Sequence, residues 1–138
     1  MRVVLDTNVC LDAFVFADPR AARLLAAIEA GEVEAVTRAD CREEWLAVLG
    51  YPALKLDDAR RVAAMAMFDR LLRVLADDAP AVMPPRCRDP DDQKFLELAM
   101  ASGAAVLFSR DAEVLKLGRR TARQGWFQIL RPEDWSGT

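Results

Sequence analysis

The run Val3-Val4-Leu5, followed at once by Asp6-Thr7-Asn8, constrains this chain more than any other stretch. Three apolar residues in a row, two of them β-branched, read as a strand buried on both faces. Strands of that kind belong to parallel sheets covered by helices. The three small polar residues then place a carboxylate at the carboxyl edge of the sheet, where open α/β sheets bind ligands. The same arrangement returns later. Ala105-Val106-Leu107-Phe108 is a second buried run, and Ser109-Arg110-Asp111 ends it with another acid. An Asp in either place also suits a turn or a helix cap, and a capping role does not exclude metal binding.

Between these runs, helical and extended patterns alternate. Val9 to Phe16 continues as a short helix or turn. Asp18-Pro19 is a helix start, Leu24, Leu25 and Ile28 share a face, and Gly31 ends it. Val33 to Val36 is a second strand. A helix begins at Asp40, where Glu43 three residues on forms a capping-box pattern, and it ends at Gly50. Asp57-Asp58 opens a long amphipathic helix through Leu72 and Leu75. Ala81-Val82-Met83 reads as a third strand, and Asp89-Pro90-Asp91-Asp92 starts a helix that ends near Gly103. The fourth strand is residues 104–108, a short helix covers 112–117, and Trp126 to Leu130 is the fifth strand. The alternation predicts an α/β sandwich of three layers with a mostly parallel five-stranded sheet, in one domain spanning residues 1–138.

Composition removes several chemistries. The chain has no histidine, so it has no Ser-His-Asp triad and no His-ligated zinc. No Gly-rich nucleotide loop is present. Cys10, Cys41 and Cys87 are far apart and odd in number, which predicts reduced core thiols in a cytoplasmic protein. The N-terminus enters a strand at once, predicting no signal peptide. Hydrolysis must then come from carboxylates, most simply with Mg²⁺ or Mn²⁺, which prefer oxygen ligands. The net charge is −3, unpromising for a nucleic-acid binder. Setting aside four acids gathered at one metal site leaves the remainder slightly positive, so distribution matters more than total.

Further acids fall where they can reach the sheet edge. Glu43 and Glu44 lie in a helix's first turn; Glu43 has a capping role available and Glu44 has none. Asp89 fits an N-cap, Asp91 points to solvent, and Asp92 stands above the buried stripe of Phe95 and Ala99. Convergence of that many negative charges is unfavourable without a cation.

Four motifs together resemble those of PIN-domain ribonucleases, often the toxin of a bacterial or archaeal toxin–antitoxin pair. They are residues 3–8, Glu44-Trp45-Leu46-Ala47-Val48-Leu49, residues 88–96, and Ser109-Arg110-Asp111. The resemblance implies a sheet in the order 3-2-1-4-5, with Asp6 and Asp111 at the lips of its topological switch point. It implies Asp6, Glu44, Asp92 and Asp111 as catalytic and metal-holding acids, with Thr7, Asn8, Asp89 and Ser109 in support. The expected activity is cleavage of RNA phosphodiester bonds with Mg²⁺ or Mn²⁺. Arg110, Arg119, Arg120 and Arg123 are candidate phosphate contacts. An antitoxin is the expected partner, and a homodimer is expected, with Trp45, Trp126 and Trp135 available as anchors, although core packing is the stronger reading for Trp45 and Trp126. A competing reading keeps the fold as an RNA-binding or docking module with little turnover. A phosphatase with a nucleophilic Asp is less well supported, because its usual second Asp is replaced by Asn8.

Overall fold

The structure is a computed structural model that describes residues 1–137. Five strands form one sheet in the order β3-β2-β1-β4-β5, and every neighbouring pair is parallel. The strands are β1 (Arg2–Leu5), β2 (Glu34–Arg38), β3 (Leu72–Leu75), β4 (Val106–Phe108) and β5 (Gln128–Leu130). The helices are α1 (Thr7–Phe14), α2 (Ala22–Glu29), α3 (Ala39–Leu49), α4 (Asp58–Leu71), α5 (Gln93–Ser102), α6 (Ala112–Leu115) and α7 (Gly118–Arg123).

The period-2 geometry of a strand explains the two cores. Val3, Leu5, Ala35, Val106 and Phe108 face one core, with residues of α1, α2, α3 and α4. Val4, Val36 and Leu107 face the other, with α5 and Val114 of α6. The central strands are therefore covered on both sides, as their unbroken apolar runs require. On the first face Trp45 stacks on Phe68 with centroids 5.4 Å apart, and Phe14 meets both rings edge-on. This aromatic knot fixes the rotation of α3. Phe108 meets Trp135 edge-on at 5.6 Å.

Three sequence expectations need correction. The third strand is Leu72–Leu75, not Ala81-Val82-Met83. The helix expected to run through Leu75 stops at Leu71, because Leu72 to Leu75 pairs with β2 from Ala35 to Arg38. Residues 81–83 are exposed and lie outside the sheet. The capping box at Asp40 does not form. Helix α3 starts one residue earlier, at Ala39, with no side-chain cap. The Asp40 carboxylate instead accepts two bonds from Arg38, both 2.8 Å. Finally, Trp135 is buried against Phe108 and is not free to anchor a dimer; Trp45 lies in the core, as its core-packing reading expects, and Trp126 is partly buried.

Among the described residues, no helix is long and apolar enough to cross a membrane. All three cysteines are buried and unpaired.

Candidate active site

Asp6 is placed by the sheet itself. Its N–H donates to the Phe108 carbonyl at 2.9 Å, fastening the end of β1 to the end of β4. Its carbonyl accepts from Val9 and Cys10, which starts α1. Its carboxylate caps that helix, accepting from the Thr7 N–H at 2.7 Å, and the other oxygen accepts from the Ser109 hydroxyl at 2.8 Å. The side chain is thus held rigidly, and the residue is only 4% exposed. Burial pushes its carboxyl up to about 6; the bonds from Ser109 and Thr7 oppose this, and the charges of Glu44 and Asp111 add to it.

Ser109 connects the two strand ends. Its N–H donates to the Leu130 carbonyl at 3.1 Å, which ties it to β5. Its hydroxyl donates to Asp6 and accepts from the Asp111 N–H at 3.1 Å. Asp111 in turn caps α6, accepting from the Glu113 N–H at 2.8 Å. Asn8 also reaches across, its side-chain oxygen accepting from the Arg110 N–H at 3.3 Å. The chain leaves β1 towards β2 and leaves β4 towards β5, so these residues sit at a switch point.

Asp92 arrives from the opposite layer. Asp89 caps the short 3-10 turn Pro90–Asp92, accepting from the Asp91 N–H at 2.9 Å, and is itself exposed. Asp92 precedes α5 but makes no capping bond. One of its carboxyl oxygens, Oδ2, is buried without any hydrogen-bond partner. Burial raises its carboxyl to about 7, and repulsion from Asp6, Asp111 and Asp89 adds to the rise. The neighbouring Gln93, fully inside, accepts from the Cys87 N–H at 2.7 Å and donates to the Pro85 carbonyl at 3.1 Å. Those bonds hold the segment before the turn against α5.

Glu44 precedes Trp45 on α3, so the buried indole sets where the carboxylate projects. It accepts from the Thr7 hydroxyl on Oε2 and from the Lys94 ammonium on Oε1, the latter at 2.8 Å. Glu43 is exposed. The structure therefore brings Asp6, Asp92 and Asp111 within mutual electrostatic reach, with Glu44 beside Asp6 through Thr7.

The expected cationic residues divide. Arg110 is committed to carboxylates: it bonds Asp12 and, at 2.9 Å, Glu133. That clasp occupies its Nε and Nη1. Arg119, Arg120 and Arg123 are exposed on α7. Sequence reasoning missed Lys94, because a lysine in a helix's first turn looks like any solvated charge.

The comparisons agree with this architecture. The sequence model of a family described as PIN domain matches residues 2–113. The chain belongs to the PIN domain family. A chain in the crystal structure of VapBC2 from Rickettsia felis, bound to a DNA fragment from their promoter, has a similar fold. The TM-score is 0.61 at 13% identity, covering 94% of this chain and 97% of that one. No curated protein matches the sequence.

PIN domains are generally nucleases that use divalent metals. Among the described residues, no three acids already close on one point as a finished ion site. The donor set nevertheless fits a hard cation. It is all oxygen, it includes an orphaned buried carboxyl oxygen on Asp92, and its members repel one another.

Proposed function

We propose that this chain is an endoribonuclease that hydrolyses RNA phosphodiester bonds with Mg²⁺ or Mn²⁺, and that it is the toxin of a toxin–antitoxin pair. The observation that carries the reading is Asp92 Oδ2, buried without a partner beside Asp6 and Asp111. Burying carboxylates together costs free energy unless a cation joins them. Asp6, Asp92, Asp111 and Glu44 would hold the ion. When bound, a divalent cation supplies Lewis acidity towards water and phosphate.

The chain's own residues have distinct parts. Ser109 and Thr7 fix Asp6 and Glu44, so the donor oxygens are preorganised. With no histidine available, the proton of the attacking water would pass to a site carboxylate oxygen that is not holding the ion. Arg119, Arg120 and Arg123 would contact phosphates. An antitoxin that inserts an Arg or Lys would neutralise the same acids and block them. VapBC2, a structural neighbour, is a complex bound to promoter DNA, which supports an antitoxin partner here. Homodimerisation is part of this reading, and a sedimentation mass near twice 15.3 kDa would support it.

The direct test is cleavage of single-stranded RNA by the purified protein in Mn²⁺ or Mg²⁺, with DNA and a phosphomonoester as controls. Cleavage of RNA that stops in EDTA supports the proposal. RNA left intact but still bound favours the docking-module reading.

A further inference from the structure

Both carboxylate oxygens of Glu44 are occupied. Oε2 takes the Thr7 hydroxyl and Oε1 takes Lys94 Nζ at 2.8 Å. Lys94 Nζ is also bonded to the Asp91 carbonyl at 2.5 Å and lies 5.3 Å from the centre of its neighbour's ring, Phe95. Its side chain is 18% exposed. Among the described residues, no other Lys or Arg forms an ion pair with Asp6, Glu44, Asp92 or Asp111. The ammonium is therefore the single positive charge joined to the acid cluster, and it is tethered there by the turn that carries Asp92.

We infer that Lys94 is a built-in counter-ion that masks Glu44 and lowers the site's affinity for a divalent cation. The inference rests on the metal-site reading above. Each Glu44 oxygen keeps a second lone pair for an arriving ion, but that ion must bind beside the donors already there. Of the two, the Thr7 hydroxyl is neutral, whereas the ammonium also repels the ion. Breaking its bond to Glu44 leaves Lys94 fastened to the Asp91 carbonyl, so the charge stays beside the cluster as a standing competitor. A unit charge roughly 6 Å from a doubly charged ion changes affinity about tenfold even with water-like screening, and more where water is partly excluded.

The test measures Mn²⁺ binding by calorimetry and by the shift of melting temperature, neither of which depends on turnover. Lys94→Gln removes the charge but keeps a donor for the Asp91 carbonyl; Lys94→Arg keeps the charge; Lys94→Met removes both charge and donor. The expected result is Mn²⁺ binding at least about tenfold tighter in Lys94→Gln and unchanged within twofold in Lys94→Arg. The gain should shrink at high salt. Wild type binding Mn²⁺ with Lys94→Gln equal or weaker overturns the masking role alone, and identifies Lys94 as a structural bridge between α5 and α3. No Mn²⁺ binding by any variant overturns both the masking role and the metal site. If Lys94→Met proves unfolded, the comparison of the Gln and Arg variants still decides.

Discussion

At the end of β2, Arg38 is nearly buried and its guanidinium is shared among Asp40, Glu97 and Asp77 at 2.8, 3.4 and 3.9 Å. Those three acids are all partly open to water. The bond to Asp40 raises Arg38 further above its ordinary range and lowers Asp40. At the ends of β1 and β4, one strand away, the pattern is inverted. There Asp6 is inside and Asp92 and Asp111 are half-buried, Asp6 and Asp92 are pushed upward, and the cation is off to the side on Glu44. The same sheet edge thus contains one charge cluster that is satisfied and one that is not. A cluster of the first kind stabilises; one of the second kind costs stability and is kept for what it binds.

The largest expected difference between the two clusters is in activity. Asp6→Asn keeps the shape of the β1 end but removes a negative ligand, and RNA cleavage should fall at least about a hundredfold, a loss typical of a site's electrostatic groups. Arg38→Met should leave cleavage per folded molecule unchanged, measured under conditions where both proteins are folded. Equal losses would erase the distinction between the clusters.

Stability should respond in the opposite sense. Arg38→Met should cost about 2–3 kcal/mol in urea unfolding. That is less than for a fully buried pair, because the acids left behind face water.

Next in size is the pH dependence of the metal-free protein. The folded values of Asp6 and Asp92, about 6 and about 7, lie above the unfolded value of about 3.9. Between about pH 4 and pH 7 the folded state therefore holds more protons than the unfolded one. Stability falls as pH rises through that window. Asp92→Asn should remove part of the slope and raise stability at pH 7 by on the order of 1 kcal/mol, after allowance for its partial exposure. Saturating Mn²⁺ should flatten the slope of the wild type. A metal-free melting temperature that climbs steadily from pH 4 to pH 7 would contradict the unsatisfied state of the cluster.

The smallest effect sharpens the boundary of the site. Glu43→Gln should change stability by less than about 0.5 kcal/mol and leave cleavage intact, since the residue is exposed and the capping box is absent. Glu44→Gln, one position along, should abolish cleavage.

The sheet's centre was legible because its signal is local. Val3-Val4-Leu5 and Val106-Leu107-Phe108 need no partner to be recognised as buried. The edge was not. Leu72 to Leu75 continues an amphipathic pattern that suits either helix or strand, and its register with β2 is decided by residues almost forty positions away. Ala81-Val82-Met83 has a strand's composition, but it lies exposed between Pro80 and Pro84. At the candidate site, the acids could be picked out by where elements begin and end. The bonds that give them their properties could not: Ser109 joins Asp6 to Asp111, Lys94 holds Glu44, and Arg38 draws Asp40 from its expected cap. Each is a choice among competing partners that only the assembled layers settle.

The fastening of Asp6 to β4 also has a consequence in time. Ser109 and Asp6 are 103 residues apart, and the N–H of Asp6 waits for the carbonyl of Phe108. A ribosome that has completed β1, β2 and β3 has made a chain with Asp6 and Glu44 but neither of the other two acids. The strand on which β1 must pair next has not yet been made. Closing so long a loop is also slow. The acid cleft thus cannot assemble before β4 and the residues just after it have been made.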